Sequence, residues 1–438
     1  MTLSHPYSKM TGKDLQKRAP ALRCFGQQLC YFQVTYLSRR FCVYTSSDRR
    51  NIYISTLIGT FTTIFGKSLY ETNGEGSEYC DMNDDDNKDC NFNKPWFTVF
   101  VMKFSMSLCL LLYFGFGWGK ENPNAPNPSW STIKAVAFPA SLDLLNTVLG
   151  NVGLLWVNSS IYQMTRGSVV IFSAFLSVKF LGRTMRSFHY WSIGFVLVAV
   201  IVVGVAGVMG SSDDDSSSGG AVILGLGFIL AAQMVTAVQF IAEESLMNNP
   251  KTTLDPVALV GFEGLWGLLY FMVLAPVLTI TPRSDMDVSS IWHENFLDTF
   301  VQLSNSSALC WLTFGYFCTI LMYNIAANIV TQTLSAVVRS ILEACRVIGV
   351  WVVGLLFYYA GTGAITTVGE EWSSWSFLQL FGFLVLMYGT FAYKGLVKLP
   401  WVSADVYEAA EEENIEVEEQ HAKNSFKYHS MDRNAEEF

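Results

Sequence analysis

SSIYQMTRGSVVIFSAFLSVKFLG, residues Ser159 to Gly182, decides the class of this chain. The stretch is long and apolar enough to cross a bilayer, yet its first turns carry Gln163 and Arg166. An arginine held in hydrocarbon costs roughly 2.5–3.5 kcal/mol on insertion scales, so such a residue faces a bundle interior or a water-filled cavity. The stretch predicts a membrane-spanning helix that lines a polar path.

The surrounding sequence extends that reading. Of 438 residues 51% are hydrophobic and 15% charged, against the about 25% charged residues of soluble domains. Apolar runs near the roughly 20 residues that span hydrocarbon fall at Ile52–Leu69, Trp96–Trp118, Ile133–Val157, Ser160–Leu181, Phe188–Met209, Ala221–Leu246, Val257–Ile280, Ala308–Thr331, Ala336–Tyr359 and Trp375–Leu396. The expected fold class is an all-α integral membrane protein with ten transmembrane helices. The expected domains are a disordered basic leader (1–50), two five-helix halves (51–210 and 221–398), an acidic linker (211–220) and a disordered acidic tail (399–438).

Basic loop residues set orientation. Lys120, Lys179, Arg183, Arg186, Lys251, Lys394 and Lys398 fall on the leader's side, whereas Asp84, Asp85 and Asp86, Asp213, Asp214 and Asp215, and Glu370 and Glu371 fall on the other. Both termini are therefore expected in the cytosol. The sequons at Asn158 and Asn305 then face the lumen, next to helix ends, and are read as unmodified.

Polar residues inside the runs are the candidate site. Gln163 and Arg166 recur in spacing as Glu343 and Arg346, each pair after a helix bearing asparagines, Asn146 and Asn151 or Asn324 and Asn328. Five helices separate the two pairs, which would invert the second copy, as in many secondary transporters. Arg166 is expected near the lumenal mouth and Arg346 towards the cytosolic one, as two handles for an anion, with Gln163, Asn146, Asn324 and Asn328 supplying hydrogen bonds. Arg339, Glu343 and Arg346 share a helix face, and Arg339, near the helix start, is expected to snorkel to the interface. Asp143, Glu243, Glu263, Glu343 and Arg339 are candidates for proton coupling or for structural ion pairs, and both readings stand. Glu244 is read as interfacial.

Gly115 with Gly119, and Gly261, Gly264 and Gly267, predict close helix approach, while Pro139 and Pro276 predict kinks. Cys109, Cys310, Cys318 and Cys345 read as buried thiols. Cys80 and Cys90 share an acidic loop, where a disulfide and two free thiols are alternatives. No metal-ligand spacing, cofactor motif, phosphate loop or hydrolase motif is present, so neither an enzyme nor a nucleic-acid partner is expected.

Leu142-Asp143 with Asn146, the run from Ser160 through Gln163, Arg166 and Gly167 to Arg183, and Ala232-Gln233 with Gln239, Glu243 and Glu244 resemble solute carrier family 35, subfamily F. Phe262-Glu263-Gly264-Leu265-Trp266-Gly267 and Leu334-Ser335 with Arg339, Glu343 and Arg346 fit the same group. The resemblance covers about Ile52 to Leu396 and excludes leader and tail; the acidic first lumenal loop is longer here. It implies the drug/metabolite transporter fold, EamA-like, of two inverted five-helix repeats, a transport role and an endomembrane location, lysosomal, vacuolar or Golgi. Its relatives carry nucleotide sugars or cationic drugs and peptides, so it implies no substrate.

The expected function is alternating-access transport of a small polar or charged metabolite, nucleotide-sugar-like or organic anion foremost. The alternatives are a cationic drug, amino-acid or peptide carrier of a vacuolar or lysosomal membrane, and a non-transporting scaffold that recruits partners through Glu408 to Glu419. Expected partners are the lipid bilayer, a small-molecule substrate, a proton or counter-substrate, and a second copy of the chain.

Overall fold

Helices satisfy their own backbone inside hydrocarbon, and the computed structural model is built from them. It describes residues 46–79, 89–92, 94–118, 128–154, 156–157, 159–182, 184–211, 219–248, 254–281, 293–360, 375–393, 395 and 397–410. The leader before residue 46, Cys80, the acids at 84–86, 213–215 and 370–371, Asn158, Gly119, Lys120, Arg183, Lys251, Lys394 and the tail beyond 410 lie outside them.

The chain runs α1 (Ser46–Glu71), a hairpin of β1 (Asn73–Glu75) and β2 (Asp89–Asn91), α2 (Pro95–Ser107), α3 (Cys109–Phe116), α4 (Trp130–Ala135) and α5 (Ala137–Leu154). There follow α6 (Ser159–Thr165), a 3-10 turn (Arg166–Ser168), α7 (Val169–Leu181), α8 (Ser187–Ser211), α9 (Gly219–Asn248) and α10 (Pro256–Ile280). The last elements are α11 (Phe296–Asn305), α12 (Ser307–Thr333), α13 (Ala336–Ala360) and α14 (Ser376–Tyr393). Among the described residues 8 helical spans are long and apolar enough to cross a membrane: α2–α3, α4–α5, α8, α9, α10, α12, α13 and α14. Helix α1 and the interrupted α6–α7 segment occupy the two other expected positions without meeting that measure. The chain is a helical, multi-pass integral membrane protein.

Two interruptions have local causes. Pro139 has no N–H for the carbonyl of Ala135, and the helix breaks there into α4 and α5. The fourth span, expected as one helix, tightens into a 3-10 turn at Arg166–Ser168. Gly167 in that turn is a close-approach point, since a Cβ there would lie 2.5 Å from Leu386 of α14.

The broadest packing joins α8 to α14, α5 to α9, α1 to α12 and α2 to α10. The glycine stripe of α10 makes the last of these possible. A Cβ on Gly261 would lie 2.7 Å from Leu110, one on Gly264 would lie 2.8 Å from the Lys103 carbonyl, and one on Gly267 would lie 2.5 Å from the Lys103 stem. Gly115 differs from expectation, because a Cβ there meets open space. Cys109 is buried, but Cys310 and Cys318 are exposed on the helix surface. An apolar position against lipid reads in sequence like one in a core, which is why burial was expected for both. The side chain of Cys345 lies outside the description.

One end of the bundle carries a polar cap made by α11, the hairpin and the start of α2. Asp298 accepts from the Ser77 and Glu78 amides at 2.6 and 3.0 Å and pairs with Lys94 at 2.7 Å. Glu294 accepts from the Trp96 and Phe97 amides, both at 2.8 Å, so it caps the N-terminus of α2. Burial pushes its carboxyl up to about 7, against the pull of those two amides and of Lys94. The Asp298 carboxyl is buried, which would raise it, yet Lys94 and the two amides hold it below the usual carboxylate range. Cys90 is disulfide-bonded; Cys80, its candidate partner, is outside the described residues.

Candidate functional site

Helix α13 enters the bundle through two caps. The Glu244 carboxylate accepts from the Ala336 amide at 2.7 Å, and the Ser335 hydroxyl accepts from the Val338 amide at 3.2 Å. Glu244 is therefore buried at a helix N-terminus, where an anion is stabilised, rather than interfacial. Its neighbour Glu243 points to another face of α9 and takes Arg339.

Arg339 does not snorkel. It is 6% exposed, ion-paired to Glu243, and within 3.3 Å of Asn328 Oδ1 and 3.4 Å of Thr331 Oγ1. Its guanidinium lies 4.0 Å over the Phe240 ring, and Gln239 donates to the second Glu243 oxygen at 2.7 Å. Position near a helix start suggested an interface, but α9 and α12 cover that start and supply the counter-charge. The Arg339 Nε has no hydrogen-bond partner.

Two turns further on, Arg346 pairs with Glu343 at 2.6 Å and lies 5.0 Å over the Tyr323 ring. Arg339, Glu343 and Arg346 line a cleft with Ser55 and Thr56 of α1 and Tyr323 of α12. Gly59 of α1 gives Arg346 its place, since a Cβ there would lie 2.8 Å from both Arg346 Cδ and the Tyr323 ring. The expected lining from the third and fourth spans is replaced here by α1, which contributes hydroxyls. Asn328 is buried beside Arg339, its amide donating to the Asn324 carbonyl at 3.2 Å, and Asn324 donates to the Ile320 carbonyl at 2.9 Å.

Arg166 sits in the 3-10 turn, partly buried, 5.8 Å over the Tyr162 ring. Among the described residues no carboxylate pairs with it. Ser173 of α7 hydrogen-bonds Ser340 of α13 at 2.7 Å in the bundle centre. The turn and α6 also pack on α13. A parallel crossing would carry them past the N-terminus of α13, so the two helices cross antiparallel. At about 1.5 Å per residue, Arg166 then stands ~10 Å from the serine contact and Arg346 ~9 Å, on the same side. The two arginines are at similar depth, not at opposite mouths. Asn146 lies partly buried on α5; the Gln163 side chain is outside the description.

A second ion pair joins buried Lys103 of α2 to the half-buried Asp143 of α5. Lys103 is 1% exposed and lies along the glycine stripe of α10. Sequence reasoning passed over it, although a lone lysine inside the apolar run Trp96–Trp118 was the signal. Glu263 of α10 is 2% exposed, and its Oε1 has no hydrogen-bond partner. Among the described residues no group of His, Cys, Asp and Glu could hold a metal.

Ionised side chains held between spanning helices define a polytopic membrane protein with a polar interior, the class to which solute carriers belong. No family model matches the chain. Solute carrier family 35 member F6 of Homo sapiens is 31% identical over 259 residues, 59% of this chain and 66% of the relative. The Mus musculus protein of the same name is 30% identical over 259 residues, covering 59% and 65%. A Schizosaccharomyces pombe protein, named only as uncharacterized, is 31% identical over 265 residues, 60% of this chain and 75% of that one. The chain belongs to solute carrier family 35, subfamily F. Its match spans about two thirds of the mammalian relatives.

Proposed function

We propose that the chain is a secondary transporter that moves a small polar or charged metabolite across an endomembrane by alternating access. The observation that carries this is the cleft between α1, α12 and α13, where two guanidinium groups, the Glu343 carboxylate and the hydroxyls of Ser55, Thr56 and Tyr323 meet inside a bundle of apolar helices. A guanidinium fork recognises phosphate or carboxylate in two-pronged fashion. That favours a nucleotide-sugar-like or organic anionic substrate, with Arg346 and Arg166 as its anchors and Asn146, Gln163, Asn324 and Asn328 as neighbours.

The architecture we propose is ten helices in two inverted repeats, 51–210 and 221–398, joined by the linker 211–220. Helix pairing supports it. Numbering the spans as α1, α2–α3, α4–α5, α6–α7, α8, α9, α10, α12, α13 and α14, the third packs on the sixth as the eighth packs on the first. The fourth packs on the sixth as the ninth packs on the first, while second with seventh, fourth with ninth and fifth with tenth map onto themselves. An exchange of halves leaves these pairings unchanged, as two halves rocking about a central site require. The basic loops support a cytosolic location for both termini.

The test is uptake by reconstituted full-length protein over a panel of nucleotide sugars, organic anions and basic amino acids. Arg346→Ala and Arg166→Ala are each expected to lower uptake of the transported compound tenfold or more, the scale of a lost charged hydrogen bond of about 1.5–3 kcal/mol. Unchanged uptake in both variants overturns the site.

A further inference from the structure

The carboxylates inside the bundle sort by their partners. Asp143 holds Lys103, Glu243 holds Arg339, and Glu343 holds Arg346. Glu263 stands apart: it is 2% exposed and one of its oxygens has no hydrogen-bond partner. The charges that act on it are Glu243 of α9, Lys103 of α2, Asp143 of α5 and Arg339 of α13. Helices α3 and α12, which also pack on α10, contain no Asp, Glu, Lys, Arg or His.

Both cations in that set are already bonded to carboxylates. An ionised Glu263, itself buried, would set three negative charges against two positive ones. A buried carboxylate without a counter-charge takes up a proton instead of staying ionised. With the proton on Glu263 the cluster is neutral.

We propose that Glu263 is a proton-binding site of this protein, protonated while the Lys103–Asp143 and Glu243–Arg339 pairs are closed. Because the charges of both pairs act on Glu263, the proton has a consequence. Lys103–Asp143 joins helices of the first half, whereas Glu243–Arg339 joins helices of the second. Opening either pair frees a cation to stabilise the Glu263 carboxylate, and the proton leaves to water on the side then open. For coupling to a transported compound, the inference rests on the transport reading above; for proton binding, it does not.

The experiment uses the full chain in lipid and dicyclohexylcarbodiimide, which adds to protonated carboxyls in apolar surroundings. Peptide mass spectrometry is expected to find the adduct on Glu263, falling as pH rises, and at least tenfold weaker on Asp143, Glu243 and Glu343. In parallel, the infrared carbonyl band of a buried carboxylic acid is expected in the wild type and absent in Glu263→Gln. An unchanged band in a folded Glu263→Gln protein overturns the proposal, as does labelling of the paired carboxylates as strongly as Glu263. Should the variant fail to fold, the labelling of the wild-type chain decides, and an unlabelled Glu263 at every pH counts against the proposal. Neither measurement needs a substrate, so a failed uptake screen and a failed proton site are told apart.

Discussion

Helix α13 and the α6–turn–α7 segment each bring arginine into the bundle, and they treat it differently. Helix α13 is continuous, and both its arginines have carboxylates, Glu243 for Arg339 and Glu343 for Arg346. The fourth span is broken at Arg166, whose described contact is the ring of Tyr162. A paired buried charge holds helices in register and is costly to break. A charge resting on an aromatic face gives up little when a ligand takes it. The difference teaches a division of labour, in which Arg339 of α13 fixes an arrangement of helices and the fourth span offers a guanidinium that no described carboxylate holds.

The sharpest way to break that comparison is to remove each arginine and measure stability. Arg339→Ala strands Glu243 in the bundle and is expected to cost about 3–5 kcal/mol, whereas Arg166→Ala is expected to cost about 0.5–1 kcal/mol. Thermal unfolding in detergent checks both, and Arg339→Met combined with Glu243→Leu should recover most of the loss. Equal losses for Arg339→Ala and Arg166→Ala would erase the distinction.

A smaller effect separates the tyrosines beneath the arginines. Gly59→Ala drives a methyl into Arg346 and the Tyr323 ring and is expected to cost about 1–3 kcal/mol by overpacking. At Gly150 a Cβ would meet the hydroxyl of Tyr162, the far end of a side chain that can turn aside. Gly150→Ala is expected to be near neutral, its helix propensity gain of about 1 kcal/mol offsetting the adjustment. The same unfolding assay reads both.

A last effect, read as a slope against pH, lies outside both helices, in the cap. Glu294 has a folded-state carboxyl raised from 4.5 to about 7 by burial. Between those values the folded chain keeps a proton that the unfolded chain has lost, so stability falls as pH rises through this window. The steepest slope is about 1.4 kcal/mol per pH unit. Unfolding measured across the window should show this slope in the wild type and a flatter one in Glu294→Gln.

Charged residues inside apolar runs were legible as a polar interior, but their partners were not. Glu243 and Glu244 are adjacent in sequence and point to opposite duties, one to Arg339 and one to the Ala336 amide. Arg339 looked free to reach an interface because nothing in α13 itself shows that α9 and α12 cover its start. Lys103 was missed for a related reason: its carboxylate lies on α5 and its room comes from glycines on α10.

By itself the sequence determined that this is a helical membrane protein. The length of an apolar run and the cost of a charge within it depend on the bilayer, and each helix bonds its own backbone without help from others. The glycine spacing of α10 likewise announced a close contact. Only the tertiary structure decided which helices Gly261, Gly264 and Gly267 approach, that Gly115 meets open space, and that one oxygen of buried Glu263 has no hydrogen-bond partner. Ion pairing and close approach are properties of two helices at once. The chain order of those helices, 40 residues apart for Lys103 and Asp143 and 96 for Glu243 and Arg339, says nothing of which will meet.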